Sequence, residues 1–283
     1  MTSRSFWPLS RLTSARSREG TPSSGSDGCL VCASPGVRRR TITSKANPSL
    51  VKDVNVCPSC GYVAIDELPI VRYRDAKSMT QLPGGGNRIG TPDRPGREFH
   101  MGKMAVDILG NEGLDVMVYG AGRSLDNHHL AALDRVNEVA IGDIMKVRDD
   151  APFHDANLPA TRTFDVVIAS EVVEHFRNPR ADFARLFEFV APNGLLVCGT
   201  SIKDGKGLSR QRYVFYPDHT SYYTPRALQL IAREHGFRID FRSPQGGGIR
   251  KRYVLFTRSP EVQEEIALYF GTRNYAPSES HPS

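Results

Sequence analysis

Four of the five cysteines fall in two pairs, Cys29-x-x-Cys32 and Cys57-Pro-Ser-Cys60. Each pair can present two thiolates from one tight turn, and Gly61 relieves the second turn. Two such pairs with 24 residues between them suit a tetrahedral Zn2+ site. The N-terminal residues lack the apolar core of a secretion signal, so the spacing favours metal over disulfides. A redox pair or free thiols is the other reading. A second constellation runs Asp115-Val-Met-Val-Tyr119-Gly120-Ala121-Gly122-Arg-Ser124. It reads as a buried strand ending in a glycine turn, against which a nucleotide-type ligand can lie. It is not the dinucleotide fingerprint, because Leu125 stands where that pattern needs a third glycine. A plain strand–turn–helix, with Ser124 or Asp126 as N-cap, fits the same residues.

The elements around these groups alternate. Val116–Tyr119 reads as a first strand, Leu125–Leu133 as a helix and Glu138–Ile141 as a second strand. A short third strand precedes Asp155-Ala156-Asn157-Leu158-Pro159. Phe164–Ala169 is a strongly apolar fourth strand, and a helix spans Pro179–Val190. Pro192-Asn193-Gly194 reads as a turn into a fifth strand, Leu195–Thr200. Pro225–His235 is a helix stopped by Gly236. Phe237–Arg242 and Arg252–Thr257 form a terminal strand pair. Strands alternating with helices imply a parallel sheet, and the terminal pair gives it a mixed edge. Before the first strand, apolar residues from Phe99 to Leu109 recur at helical spacing.

Five stretches follow. Residues 1–27 are Ser, Arg, Gly and Pro rich and read as a disordered tail. Residues 28–68 are a four-cysteine zinc-binding lobe, too small to fold on a core alone. Residues 69–96 are a linker or lid, 97–260 the main domain, and 261–283 a C-terminal helix and tail.

The formal charge is +6, and residues 1–45 carry eight basic against two acidic side chains. The remainder is therefore neutral in sum, which argues against a broad basic face for nucleic acid on the main domain. Arg38, Arg39 and Arg40 read as a solvated loop between the cysteine pairs, with an acidic partner as the other meaning. No apolar run approaches the ~20 residues of a membrane span. A cytoplasmic protein is expected.

The order of the pieces is more specific than any one. The glycine turn, Asp143 after strand two, Asp155-Ala156, Phe164-Asp-Val-Val-Ile-Ala-Ser170-Glu171-Val-Val-Glu174-His175 and Ala191-Pro-Asn-Gly194 together resemble the class I S-adenosylmethionine-dependent methyltransferases. The resemblance covers about residues 97–258. It implies a Rossmann-like α/β fold, a seven-stranded mixed sheet with the last strand antiparallel. The cysteine lobe in front is similar to arrangements in some sugar- and RNA-modifying methyltransferases. Two departures stand out: Val118 occupies the position of the family's usual acid, and the third small position holds Ser124 rather than glycine.

The resemblance implies that Tyr119, Gly120, Ala121, Gly122 and Ser124 receive the methionine and ribose portion of S-adenosylmethionine. Asp143 would accept from the ribose hydroxyls. Asp155 and the Ala156 N–H would meet the adenine, and Ser170 and Glu171 would lie beside the sulfonium. Glu174-His175 reads as a structural pair. The acceptor pocket would be built after strand five, by Tyr213, Tyr216, Asp218, His219, Tyr222 and Tyr223, with His219 at its mouth as proton acceptor. The expected activity is methyl transfer to a hydroxyl of a small molecule or saccharide, with structural Zn2+. The alternatives are an RNA methyltransferase whose zinc lobe holds RNA, and a non-catalytic binding module.

Overall fold

The computed structural model describes residues 28–66, 89–202, 207–243 and 251–272. The tail at 1–27, the glycine run at 83–87, the connection at 245–248 and the terminal residues 273–283 lie outside the described residues.

The main sheet has seven strands: β4 (Leu114–Tyr119), β5 (Val136–Asp143), β6 (Phe153–Asp155), β7 (Phe164–Ser170), β8 (Val190–Ser201), β10 (Arg238–Arg242) and β11 (Lys251–Thr257). Their spatial order is β10-β11-β8-β7-β4-β5-β6. The five strands from β8 across to β6 pair in parallel, and β11 runs antiparallel to both its neighbours. This is the mixed sheet expected from the sequence, with its last strand reversed.

The period-2 alternation of strand side chains sorts the residues into two layers. Val116, Val118, Val166, Ile168, Leu195 and Val197 face one core, closed by α1 (Arg97–Leu109), α2 (Asp126–Ala131) and α5 (Pro260–Phe270). Met117, Tyr119, Val167, Ala169, Leu196 and Cys198 face the other, closed by α3 (Pro179–Glu188) and α4 (Pro225–Glu234). Two of the helices start where capping chemistry places them. Thr224 accepts from the Ala227 N–H and Ser259 from the Val262 N–H, each followed by proline.

Three expectations shift. The turn at Pro192-Asn193-Gly194 is carried inside β8: Phe164 pairs with Val190 but Val166 with Leu195, so the intervening residues bulge out of register. The helix expected over 125–133 ends at Ala131, because the chain must turn to enter β5. Neither Ser124 nor Asp126 caps it.

A second sheet has the order β1-β2-β3-β9 and is antiparallel. Its strands are β1 (Arg38–Thr43), β2 (Val51–Val56), β3 (Val63–Ile65) and β9 (Ser221–Tyr222). Arg38–Arg40 therefore open a strand rather than forming a loop. Arg39 bridges Asp53 at 3.1 Å and Asp66 at 3.5 Å. The fourth strand comes from the segment after β8, so the cysteine-bearing residues and that segment share one sheet. Ile42, Val54, Val63 and Ile65 pack with Tyr213, Val214, Phe215 and Tyr222 in a common core.

Candidate functional site

The glycine turn sits at the carboxyl end of β4. Gly120 has φ +70° and Gly122 φ +52°. A Cβ on Gly120 would stand 2.5 Å from Val172 Cγ2, so glycine is required there for both conformation and space. Asp143, at the end of β5, reaches across the turn. Its Oδ2 accepts from the Gly122 N–H at 3.2 Å and its Oδ1 from the Ile144 N–H at 2.7 Å. Burial raises its pKa, against the pull of those N–H groups. A carboxylate held beside the turn at the end of the second strand is what a ribose diol needs as its acceptor.

The remaining predicted cofactor residues fall at strand ends around this turn, with differences in detail. Tyr119 turns its ring into the core beside Phe189, 5.9 Å between centroids, and offers the turn only its backbone. Ala121 is buried. Asp155 accepts from the backbone and side-chain amides of Asn157, both at 2.8 Å. The Ala156 N–H is taken by the Asp143 carbonyl at 2.9 Å, so in this conformation it is not a donor for adenine. Ser170 is buried at the end of β7, and its Oγ has no hydrogen-bond partner among the described residues. A buried hydroxyl without a protein partner beside the glycine turn fits a ligand-lined crevice. Glu171 follows with φ +56°, rare for a residue with a side chain, and its carboxylate lies 3.7 Å from Arg97.

The Ser124 hydroxyl is a fastener rather than a cap. Its Oγ donates to Glu98 Oε2 at 3.1 Å and accepts from the Gly90 N–H at 3.3 Å. Asp126 accepts from the Gly96 N–H at 2.6 Å. These bonds pin residues 90–98 over the turn, and Glu98 and Asp126 were not legible as partners in the sequence. Burial, then the Asp126 carboxylate, pushes the Glu98 pKa up to about 7. The folded chain therefore keeps that proton between about pH 4.5 and 7, while the unfolded chain has released it. Raising pH through this window should remove stability, by at most about 1.4 kcal/mol per pH unit. Urea unfolding at pH 5 and 7.5 checks this: the drop should shrink in Glu98→Gln, and an equal drop in both proteins would exonerate Glu98.

Beyond β7 lies the segment expected from the sequence to face the acceptor. Glu174, wholly buried in a short turn (Val173–His175), accepts from the Tyr213 hydroxyl and from Thr200 Oγ1 at 3.2 Å. His219 is buried rather than at an open mouth. Its Nδ1 lies 2.7 Å from the Tyr213 carbonyl and its Nε2 3.9 Å from Glu174 Oε1. Glu174 is thus more than half of a pair with His175: it ties the end of β8 to the His219 segment. Tyr222 and Tyr223 are core. Their hydroxyls donate to the carbonyls of Ile202 (3.3 Å) and Val173 (3.0 Å). Tyr216 is exposed.

The four paired cysteines converge. Sγ atoms of Cys29 and Cys60 are 3.6 Å apart, those of Cys32 and Cys57 3.5 Å, and all four lie within 4.8 Å of one another. A tetrahedral Zn2+ with bonds of about 2.3 Å separates its sulfurs by about 3.8 Å. The donor set fits that ion. Backbone N–H groups of Val31 and Cys60 point at Cys29 and Cys57 Sγ, both at 3.4 Å, as in turns that present thiolates. Hydrogen bonding from Cys60 lowers the Cys29 pKa to about 5, while the same contact raises that of Cys60. Four sulfurs this close cannot all be anionic without a cation.

Residues 102–240 match a family model described as a methyltransferase domain. Residues 102–240 are a class I S-adenosylmethionine-dependent methyltransferase domain. No curated protein matches this methyltransferase. Among solved structures it is similar to a 1,6-didemethyltoxoflavin-N1-methyltransferase from Burkholderia thailandensis, at 15% identity and TM-score 0.45, covering 77% of this chain and 98% of that one. It is also similar to human N-acetylserotonin methyltransferase, at 15% identity and TM-score 0.43, covering 56% and 51%. An O-methyltransferase family protein from Burkholderia thailandensis shows 16% identity and TM-score 0.45 over 55% and 54%. None of these likenesses assigns this methyltransferase an acceptor. Among the described residues no helix is long and apolar enough to cross a membrane.

Proposed function

We propose that this methyltransferase transfers a methyl group from S-adenosylmethionine to a hydroxyl of a small-molecule or saccharide acceptor, and that Cys29, Cys32, Cys57 and Cys60 hold a structural zinc ion. The observation that carries the reading is position. Glu174, His175 and His219 gather at the carboxyl ends of β7 and β8, beside the glycine turn of β4, where open α/β sheets bind ligands. The cofactor supplies a sulfonium methyl that is already reactive. The chain's own residues bind and orient. Gly120–Gly122 and Asp143 receive the ribose and methionine portion, Asp155 lies on the adenine side, and Ser170 and Glu171 lie beside the sulfur. His219 and Glu174 assist loss of the acceptor's proton. The neutral balance outside residues 1–45, and the pairing of Arg39 with Asp53 and Asp66, favour this acceptor over RNA.

Calorimetry with S-adenosylhomocysteine tests the cofactor half. Asp143→Ala should weaken binding by about 1.5–3 kcal/mol, the range for a lost charged hydrogen bond. Unchanged affinity would remove Asp143 from the site. Methylation assays on hydroxylated small molecules, saccharides and RNA test the acceptor half. Turnover on RNA alone would overturn it.

A further inference from the structure

We propose that Glu174, His175 and His219 form a second metal site, which takes a divalent transition-metal cation on the acceptor side of the crevice. One ligand atom from each of the three lies within 4.8 Å of the others. The two imidazoles are prepared in the same way. His175 Nδ1 lies 2.9 Å from the Asp218 carbonyl, and His219 Nδ1 lies 2.7 Å from the Tyr213 carbonyl. A carbonyl only accepts, so each Nδ1 carries the proton, and a neutral ring then presents a lone pair at Nε2. An N–H fixed on a backbone carbonyl, with the opposite nitrogen left basic, is how metal-binding histidines are oriented.

The distance between His219 Nε2 and Glu174 Oε1 points the same way. At 3.9 Å it is too long for a hydrogen bond. Two coordination bonds of about 2.0–2.2 Å each span such a gap. The carboxylate is held for the task by the Tyr213 hydroxyl and Thr200 Oγ1. Two imidazoles and one carboxylate suit Zn2+, Co2+, Fe2+ or Mn2+ better than Mg2+ or Ca2+, which favour all-oxygen sets.

The inference rests on the methyl-transfer reading for its consequence, not for the site itself. A cation here would withdraw electron density from an acceptor hydroxyl. The hydroxyl proton leaves to water and the oxygen lone pair forms the new O–C bond. The C–S bond breaks with its electron pair remaining on sulfur.

Mn2+ is the probe, because thiolates do not favour it and the cysteine cluster stays out of the measurement. The zinc-loaded protein is titrated with Mn2+ while the free-ion paramagnetic resonance signal is followed. One saturable Mn2+ per chain is expected, weakened at least tenfold in Glu174→Gln and in His175→Gln. Glu174→Gln keeps the volume of a buried residue and one of its two acceptor oxygens, and His175 is only half-buried, so one variant stands if the other fails to fold; circular dichroism reports which. Wild-type protein that takes up no Mn2+, Co2+ or further Zn2+ overturns the proposal. So does binding that both folded variants retain. Metal binding that persists where S-adenosylhomocysteine does not bind upholds the site and sinks the cofactor reading instead.

Discussion

Cys57→Ser is expected to leave the protein without zinc, without its small sheet and without turnover, yet able to bind S-adenosylhomocysteine. The described part of the lobe is residues 28–66. Segments below about 40 residues do not bury enough surface to fold on a core alone. Zinc binding by such units is worth about 10–16 kcal/mol and is in effect their folding energy. What the lobe holds in place is not confined to the lobe. β3 pairs with β9 through Val63↔Tyr222 and Ala64↔Ser221. The Tyr62 hydroxyl meets Ser221 Oγ at 2.6 Å, Lys52 Nζ donates to the Tyr216 carbonyl at 2.8 Å, and the Lys45 N–H donates to the Ser209 carbonyl at 2.7 Å. Every one of these partners belongs to the segment that carries His219. The glycine turn and Asp143 hang instead on β4 and β5, in the other sheet. Loss of the metal should therefore separate the two halves of the reaction, sparing cofactor affinity and abolishing catalysis. Metal analysis, calorimetry and turnover on the same preparation decide it. Metal-free Cys57→Ser that turns over normally would reduce the lobe to an ornament on a self-sufficient domain. A point variant is preferable to a chelator here, because a chelator would also empty the site proposed at Glu174, His175 and His219.

How far the sequence carried varies with the range of the interaction. β7 was legible because a parallel strand buried on both faces is a continuous apolar run, as Val166–Ala169 is. The cysteine pairs and the glycine turn were legible because their chemistry is local to a few residues. β1 was not, since Arg38–Arg40 give a charged, exposed edge with no alternation to betray a strand. β9 is two residues long and exists only through pairing with a strand more than 150 residues earlier, which no local pattern encodes. Ser124 has the residue type and place of an N-cap, yet its hydroxyl is used between Glu98 and Gly90. Glu174 and His175 stood side by side in the sequence. Their third partner, His219, sits in a different segment of the chain, brought in by the contacts of Tyr213 and Thr220 with Glu174.

His219→Ala is expected to lower turnover by about 10²–10⁴, the usual contribution of a positioned acid–base group, with cofactor affinity unchanged. The ring is held with its Nδ1–H on the Tyr213 carbonyl, which fixes the tautomer and turns Nε2 toward Glu174. It stacks edge-on against Tyr213 at 4.2 Å and His175 at 5.1 Å between centroids. These neighbours all belong to the proposed acceptor side, so the loss of the ring should act on the acceptor and not on the cofactor. An alcohol is a poor nucleophile until its proton begins to leave, and both routes open to His219, taking that proton or holding a cation that labilises it, fail together in the alanine variant. His219→Gln separates chemistry from scaffolding, because an amide preserves a donor toward the Tyr213 carbonyl but is neither a base nor a strong ligand. If the ring is only packing, Gln should restore turnover along with thermal stability. If it does chemistry, stability should return and turnover should not. Weakened S-adenosylhomocysteine binding with intact turnover at saturation would instead put His219 on the cofactor side of the crevice.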